Sequence, residues 1–496
     1  MRTRVLLAFV AGAASVLAHA PFGIFPLALV SLAALAFLLG QARGGRRGFV
    51  LGFAWGLGAF LVGVSWLFIA LQRYGGMPVP LAALAILLFC SLLAIFPAIA
   101  GALFVRLRPA GVMAQSVLFG ALWLLMEWAR GWVFTGFPWL SVGYTQTPPS
   151  PLAGFAPLLG VYGVGGLLAL LSGLLAFSPW RRLRTALPAV LTLGLVLSGG
   201  VLLTRVAWTA PTGEFVRVAL LQTNIEQDLK WRPDHLREWL RVNVEMVAAS
   251  QADLVVLPEG AAPLLIHHLP EGYLDLLAES LREPGANLIL GTFTTDGAGG
   301  VLNSAISLGA SPGQHYAKHH LVPFGEFSPP LFGWVYRLVN IPMSDQVRGA
   351  TAQPPMLLGG QKVAVNICFE DLFGDELRAA LPEAGLMLNM SNLAWFGDSL
   401  ALPQHLQVAR MRALEAGRPM LRATNTGATA VIRPDGGIQS VLPAMTRGIL
   451  HAEVRAHHGL TPYARWGDAP VVLLAGLYGM LVAGCMTCRP RAAKCQ

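Results

Sequence analysis

Glu259, Lys318 and Cys368 are three residues of complementary chemistry, and two of them lie where a β-rich stretch ends. Glu259 follows DLVVLP, Cys368 ends KVAVNIC, and Lys318 lies in the loop HYAKHHLVPFGEF. A carboxylate, an ammonium and a thiol can together perform acyl transfer, because the carboxylate takes the thiol proton and the ammonium stabilises the oxyanion. Two acids, Glu370 and Asp371, lie two and three residues past Cys368, and acids disfavour a thiolate. The cysteine therefore suits this chemistry only if Lys318 and Glu259 share its site.

Such groups are usually held on loops where a rigid sheet ends, so the surrounding segment must supply strands. Helical amphipathic patterns at 235–249 and 405–417 lie between some of the β-rich runs, and RPDGG (433–437) is typical of a hairpin turn. The alternation predicts an α/β domain whose helices cover a sheet. The predicted strands are 215–222, 253–258, 287–293, 303–308, 362–368 and 386–391.

The composition of the whole chain is that of a membrane protein. Of 496 residues, 55% are hydrophobic and only 12% are charged, against about 25% charged in soluble domains. A helix needs about 20 apolar residues to cross a bilayer. We therefore predict a multi-pass bundle of about eight spans. The candidate spans are 5–19, 25–40, 49–71, 81–104, 113–134, 152–178, 187–206 and 469–488. The first two are short and separated by the turn-favouring HAPFG, so they could instead form one re-entrant hairpin.

The net charge of +9 reflects topology and not nucleic-acid binding, because arginines cluster in alternate loops between apolar stretches. Placing those loops and both termini in the cytoplasm puts the α/β segment outside it. The predicted domains are a membrane bundle at 1–206, a catalytic domain at 207–468, and a final span with a short tail at 469–496. The arginine-rich loops hold Arg43, Arg46, Arg47, Arg106, Arg108, Arg181, Arg182 and Arg184, and the tail holds Arg489 and Arg491.

Each of these residues also has a plain structural interpretation. Cys368 could be a packed core thiol, Lys318 a solvated charge, and Glu259 an acid at a helix N-terminus. Glu127 and Arg130, three apart on a predicted span, could pair with each other or contact a lipid headgroup. The pair Cys485 and Cys488 and the adjacent histidines lack the partners of a metal site, so we predict no metal and no cofactor. The adjacent histidines are His267, His268, His319 and His320.

The order PEG, then KHHLVPFGEF, then ICFE resembles the nitrilase superfamily, whose members carry Glu, Lys and Cys in that order. Longer motifs resemble the apolipoprotein N-acyltransferase family within it. These motifs are LKW (229–231), NMSNLAWFGDS (389–399), QHLQVARMRALEAGRPMLRATNTG (404–427) and GLTPYARWGD (459–468). The resemblance covers essentially the whole chain, and it implies an αββα sandwich carried on a membrane bundle.

The resemblance also implies a reaction and a location. A phospholipid donates its sn-1 acyl chain to Cys368, and the thioester then acylates the α-amino group of the diacylglyceryl-cysteine of an apolipoprotein. The implied partners are these two lipids and the bilayer, with no nucleic acid. The implied location is the bacterial cytoplasmic (inner) membrane, with the catalytic domain on its outer, periplasmic face. We expect a monomer.

Residue roles follow from the same resemblance. Cys368 is the implied nucleophile, Glu259 the general base and Lys318 the oxyanion stabiliser. The implied supporting residues are Glu326, Phe369 and Glu370, and the implied substrate-binding residues are Trp231, Asn303 and Trp395. The chain departs from the family pattern at Phe369, where Tyr is frequent, and at Leu393, where Asp is frequent.

Two other functions share part of this sequence pattern. A membrane-anchored amidase or nitrilase would share the three residues and use water as the acceptor, but it would not need a large membrane bundle. A transporter with an appended domain would need polar residues recurring in several spans, and only Glu127 and Arg130 stand out.

Overall fold

The computed structural model describes residues 1–230, 232–328 and 345–487. Within them the chain forms two compact units. The first unit comprises Met1–Ser65, Leu84–Val206 and the described residues from Trp466 onward. The second comprises Trp66–Ala83 and the described residues of Ala207–Arg465.

Helices dominate the first unit, and helices and strands alternate in the second. The α-helices are α1 Arg2–Ser15, α2 Pro26–Gly40, α3 Gly45–Gly63, α4 Leu67–Ile69, α5 Val79–Leu107, α6 Val112–Arg130, α7 Ala156–Phe177, α8 Leu183–Leu203, α9 Gln227–Lys230, α10 Pro233–Ala249, α11 Tyr273–Glu279, α12 Gly374–Leu377, α13 Ala401–Ala416, α14 Pro462–Trp466 and α15 Ala469–Thr487. The strands are β1 Ala210–Gln222, β2 Leu254–Val256, β3 Asn287–Thr295, β4 Val301–Gly309, β5 His315–Ala317, β6 Met356–Leu358, β7 Gln361–Ile367, β8 Leu386–Ser391, β9 Met420–Thr424, β10 Ala430–Ile432, β11 Ile438–Val441 and β12 Gly448–His458.

The predicted membrane bundle is confirmed as a set of apolar helices, and one helix lies at each of the eight predicted positions. Among the described residues, five helices are long and apolar enough to cross a membrane. A sixth span results if α3 and Leu67–Tyr74, which are bent by 61° at a short break, are one span. The helices α1 and α2 have 14 and 15 residues, which at 1.5 Å per residue gives about 21–23 Å, less than the ~30 Å of a hydrocarbon core.

The two charges predicted inside α6 are both buried and both bind the segment that follows the helix. The guanidinium of Arg130 donates to the carbonyl oxygens of Phe137 and Trp139 and, at 3.1 Å, to Ser141 Oγ. The carboxylate of Glu127 accepts from the backbone N–H of Val142 at 2.9 Å. The pair therefore fixes the non-helical stretch that follows α6.

The second unit is the expected αββα sandwich built on two mixed six-stranded sheets. Their strand orders are β12-β1-β2-β3-β4-β5 and β11-β10-β9-β8-β7-β6. Inward side chains of both sheets, such as Ile289 and Leu388, form one core. Outward side chains of the first sheet pack with α10 and α11, and those of the second sheet pack with α13.

The strands β1, β2 and β3 run parallel to one another, and so do β7, β8 and β9. The carboxyl ends of parallel strands meet at one edge of their sheet, which is where ligands bind in open α/β sheets. Glu259 lies three residues past β2, and Cys368 directly follows β7. The topology thus places both predicted catalytic residues at the carboxyl edges.

Candidate active site

Lys318 lies in a buried cluster with two carboxylates, and its charge also interacts with Cys368. Its Nζ atom lies 3.6 Å from Glu259 Oε1 and 2.7 Å from Glu326 Oε1. The lysine side chain is only 1% exposed. Such a buried cation is tolerated because two carboxylates surround it. Glu326 in turn accepts from the backbone N–H of Val322 at 2.8 Å, which holds the VPFGEF loop against the lysine.

Asn303, on β4, lies between the two carboxylates. Its Nδ2 atom donates to Glu259 Oε1 at 2.8 Å and to Glu326 Oε1 at 3.2 Å. The second oxygen of Glu259 accepts from the backbone N–H of Asn392 at 2.7 Å. Glu259 is therefore held in one orientation by the amide of Asn303, the backbone of Asn392 and the ammonium of Lys318.

Cys368 occupies a strained turn between β7 and a short 3₁₀ helix, Cys368–Leu372. Its φ of +54° is in the left-handed region, which is costly for a residue with a Cβ atom. The residue is partly exposed, whereas its neighbours Ile367 and Phe369 are buried. The turn therefore places Cys368 at the sheet edge, where part of the residue is exposed.

The electrostatics of the cluster favour a resting thiol beside a charged lysine. Burial and then Glu259 raise the pKa of Cys368 well above its ordinary value, and Lys318 opposes them. For Lys318, burial disfavours the charge, but Glu326 and Glu259 outweigh it and raise its pKa. A thiol with a raised pKa needs a base at the moment of attack. Of the two carboxylates at the lysine, Glu259 has the larger effect on the pKa of the thiol.

Glu370 joins the loop of Lys318 to the strand of Cys368. Its carboxylate accepts from the backbone N–H groups of His319 at 2.7 Å and Ile367 at 2.6 Å. It also accepts from the Tyr316 hydroxyl at 2.9 Å. Burial raises the pKa of Glu370, although those backbone donors oppose the shift. This carboxylate is therefore placed to fix the distance between the lysine and the cysteine.

Two of the three predicted aromatic site residues, Trp395 and Phe369, lie among the described residues. Trp395 lies on the turn after β8, with its ring centroid 5.9 Å from that of Tyr74 in the segment Trp66–Ala83. Phe369 packs edge-on against Phe373 at 5.2 Å. Trp231 lies outside the described residues, as does Cys488.

The segment Trp66–Ala83, which overlaps the end of the predicted span 49–71 and the start of 81–104, packs in the second unit through aromatic contacts. The Trp66 ring lies 4.6 Å from Phe396, and its indole N–H donates to Gln404 Oε1 at 3.2 Å. No sequence periodicity pointed to this association. Leu393, where the family pattern often has an acid, is 1% exposed and packs as a core residue.

The sequence analysis did not predict roles for Lys230 and Asn392, although these residues lie within the motifs LKW and NMSNLAWFGDS. The Nζ atom of Lys230 is buried and donates to the backbone carbonyl of Glu259 at 3.3 Å. Burial lowers the pKa of Lys230 to about 8. The Asn392 side chain binds Gln227 and Asn425. These two residues could have been found as a charged and an amide residue within stretches predicted to be buried, because such groups are rarely buried without a partner.

Two family models match this chain. Residues 11–174 match the apolipoprotein N-acyltransferase N-terminal domain, and residues 217–462 match the carbon-nitrogen hydrolase family. The sandwich, the cysteine turn and the apolar helices thus define a membrane-associated enzyme of the nitrilase superfamily.

Relatives along nearly the full length narrow this class further. The apolipoprotein N-acyltransferase of Nitrosomonas europaea is 45% identical over 484 residues, covering 97% of this chain and 97% of the relative. That of Ralstonia nicotianae is 46% identical over 492 residues, covering 97% of this chain and 93% of the relative. This chain belongs to the apolipoprotein N-acyltransferase family.

Proposed function

We propose that the protein moves the sn-1 acyl chain of a phospholipid to the α-amino group of a diacylglyceryl-cysteine at the start of an apolipoprotein. The observation that carries the mechanism is the buried contact of Glu259 with Lys318, which follow strands of the first sheet, together with the Cys368 turn at the carboxyl edge of the second sheet. Membership of the N-acyltransferase family supports the choice of substrates. All three proposed catalytic residues come from one chain, so we propose that a monomer is active.

In the first half-reaction, Glu259 takes the proton of the Cys368 thiol as sulfur attacks the ester carbonyl. The tetrahedral oxyanion is stabilised by the ammonium of Lys318 and the backbone N–H of Phe369. The carbon–oxygen bond to glycerol then breaks, and Glu259 returns the proton to the glycerol oxygen. A lysophospholipid leaves, and the acyl chain remains as a thioester.

In the second half-reaction, the α-amine of the apolipoprotein attacks the thioester and gives a proton to Glu259. The same two donors stabilise the new oxyanion, the carbon–sulfur bond breaks, and Glu259 returns the proton to sulfur. The proposed supporting role of Glu326 and Glu370 is to hold Lys318 opposite the cysteine. Asn303 orients Glu259, and Trp231 and Trp395 are proposed to contact the lipid substrates.

A two-stage assay tests this function and the role of Glu259 together. Wild-type protein with a phospholipid of defined acyl chains should gain one acyl mass on Cys368, and adding a diacylated lipopeptide should discharge it. Glu259→Gln should slow both stages by about 10²-fold, because the same base serves both. Alkylation of Cys368 by iodoacetamide should not slow, since the substitution removes a charge that raises the pKa of the thiol.

The matched control is Glu283→Gln, which alters an acid paired with Arg217 at 3.0 Å. It should leave both stages unchanged. Release of free fatty acid, with neither an acyl adduct on Cys368 nor a triacylated peptide, would indicate a hydrolase and overturn the proposal. If Glu259→Gln is acylated at the normal rate and fails only in the second stage, another group is the base of the first stage, and Glu326 and Glu370 are the candidates.

We further propose eight membrane spans in the cytoplasmic (inner) membrane, with both termini in the cytoplasm and residues 207–468 outside. An apolar helix at each of the eight positions and the arginine-rich alternate loops support this topology. Topology reporters fused after residues 45, 145 and 300 should report cytoplasm, outside and outside. A cytoplasmic signal at 300 would contradict the proposed orientation.

A further inference from the structure

Behind the nucleophile, the second sheet carries a polar row where its neighbouring residues are apolar. Asn366 on β7, Asn389 on β8 and Arg422 on β9 are register partners on adjacent strands. The three are at most 1% exposed and lie on the sheet face that packs with α13. Buried polar side chains in strands are costly unless they are bonded, so a row of three requires a reason beyond folding.

Asn389 contacts the nucleophile directly. Its Nδ2 atom donates to the backbone carbonyl oxygen of Cys368 at 3.1 Å and to Asn366 Oδ1 at 2.6 Å. Its Oδ1 atom accepts from Arg422 at 2.8 Å and from Ser391 at 2.6 Å. These partners fix which end of the amide faces the cysteine. The backbone carbonyl of a residue in a left-handed turn is thus held by a side chain from the neighbouring strand β8.

Arg422 also balances a charge beside the nucleophile. Its Nη1 atom lies 3.2 Å from Asp371 Oδ2, and Asp371 Oδ1 lies 2.7 Å from His405 Nε2. Asp371 is three residues past Cys368, and its negative charge contributes to the raised pKa of the thiol. Burial lowers the pKa of Arg422, whereas Asp371 and the Cys368 thiolate favour its charged form.

We propose that Arg422 and Asn389 are positioning residues for Cys368, with Asn389 holding its carbonyl in the turn and Arg422 cancelling the charge of Asp371 behind it. This inference rests on the proposed acyl transfer only for its kinetic consequence. The guanidinium uses one nitrogen, since Nε and Nη2 have no hydrogen bond among the described residues. We therefore expect the positive charge beside Asp371 to be needed, and not the several hydrogen-bond donors of a planar guanidinium.

The charged groups around the thiol come from several elements, and each must be counted in a pH experiment. They are Glu259 beyond β2, Lys318 after β5, Glu326 in the loop that follows, Glu370 and Asp371 in the cysteine turn, His405 on α13 and Arg422 on β9.

The test measures alkylation of Cys368 by iodoacetamide from pH 7 to about pH 12, so that the titration of the thiol is followed, read on the cysteine's own peptide by mass spectrometry. Arg422→Met should lower the rate about 10-fold below the titration midpoint, because Asp371 is left uncompensated. Arg422→Lys should restore the profile. Asn389→Ala should leave the midpoint unchanged but reduce thioester formation from phospholipid at least about 10-fold, since only the position of the turn is lost.

Arg418→Met is the matched control, because Arg418 is equally buried but donates to the carbonyls of Ala384, Leu381 and Gly459. It should lower the unfolding temperature and leave the alkylation profile of Cys368 unchanged. An unchanged profile in Arg422→Met, or the same shift in Arg418→Met, would overturn the charge role. Normal thioester formation in Asn389→Ala would overturn the positioning role.

The two proposals fail in different ways. If wild-type protein forms no thioester from phospholipid, the proposed function is wrong, but the alkylation profiles still report on Arg422. If Arg422→Met does not fold, Arg422→Lys and Asn389→Ala still decide the matter, since a shifted midpoint in the lysine variant also contradicts the proposal.

Discussion

Replacing Cys368 by Ala is expected to abolish both half-reactions, with phospholipid left uncleaved and no acyl mass on the protein. Removing the nucleophile of a catalytic triad reduces the rate on the order of 10⁵-fold or more. The cysteine turn, Cys368–Leu372, holds no second thiol or hydroxyl side chain. The measurement is lysophospholipid release together with the intact mass of the protein.

Cys485→Ala is the matched control for this variant, because Cys485 is a free and exposed cysteine. It should retain the acylation rate of the wild type. Residual acylation of Cys368→Ala well above the background rate would show that the thioester forms elsewhere and would remove the basis of the mechanism. The alanine also relieves no backbone strain, so the unfolding temperature should change little.

Lys318→Met is expected to slow acylation and transfer together by about 10³-fold or more. One lost oxyanion donor typically accounts for 10²–10³-fold, and Lys318 also favours the thiolate of Cys368. The variant leaves Glu259 and Glu326 buried without their cation. Since an uncompensated buried charge destabilises a protein by about 3–5 kcal/mol, the unfolding temperature should fall as well.

A second substitution separates catalysis from stability. In Lys318→Met combined with Glu326→Gln, one negative charge is removed with the positive one, so the unfolding temperature should recover in large part while the rate stays low. Lys362→Met alters an exposed lysine paired with Glu383 and should change neither property. A double variant that regains activity along with stability would indicate that Lys318 has only a structural role.

These variants share one physical premise, which is that the resting thiol is protonated. Burial and Glu259 raise the pKa of Cys368, so the fraction of thiolate grows as the pH rises. Activity then depends on proton transfer within the cluster and not on a standing thiolate. Many catalytic cysteines instead carry a depressed pKa, and burial together with the charge of Glu259 accounts for the difference at Cys368.

Much of the fold and the catalytic cluster could be predicted from local sequence. The predicted strand 386–391 is β8 to the residue, and the predicted helix 235–249 lies within α10, because alternation and amphipathic period are local properties. The hairpin predicted at RPDGG joins β10 and β11. The order of Glu259, Lys318 and Cys368 within recognisable motifs was enough to predict that they share a site.

Tertiary structure alone decided which polar residues support that site. Asn389 and Arg422 are far apart in sequence from Glu259, and they meet the cysteine turn only because β7, β8 and β9 are parallel and in register. Likewise, the association of Trp66–Ala83 with the catalytic unit depends on side-chain packing with Trp395 and Phe396. Hydrophobic period determines which face of an element is buried, whereas register and packing determine its neighbours, and those depend on residues hundreds of positions apart.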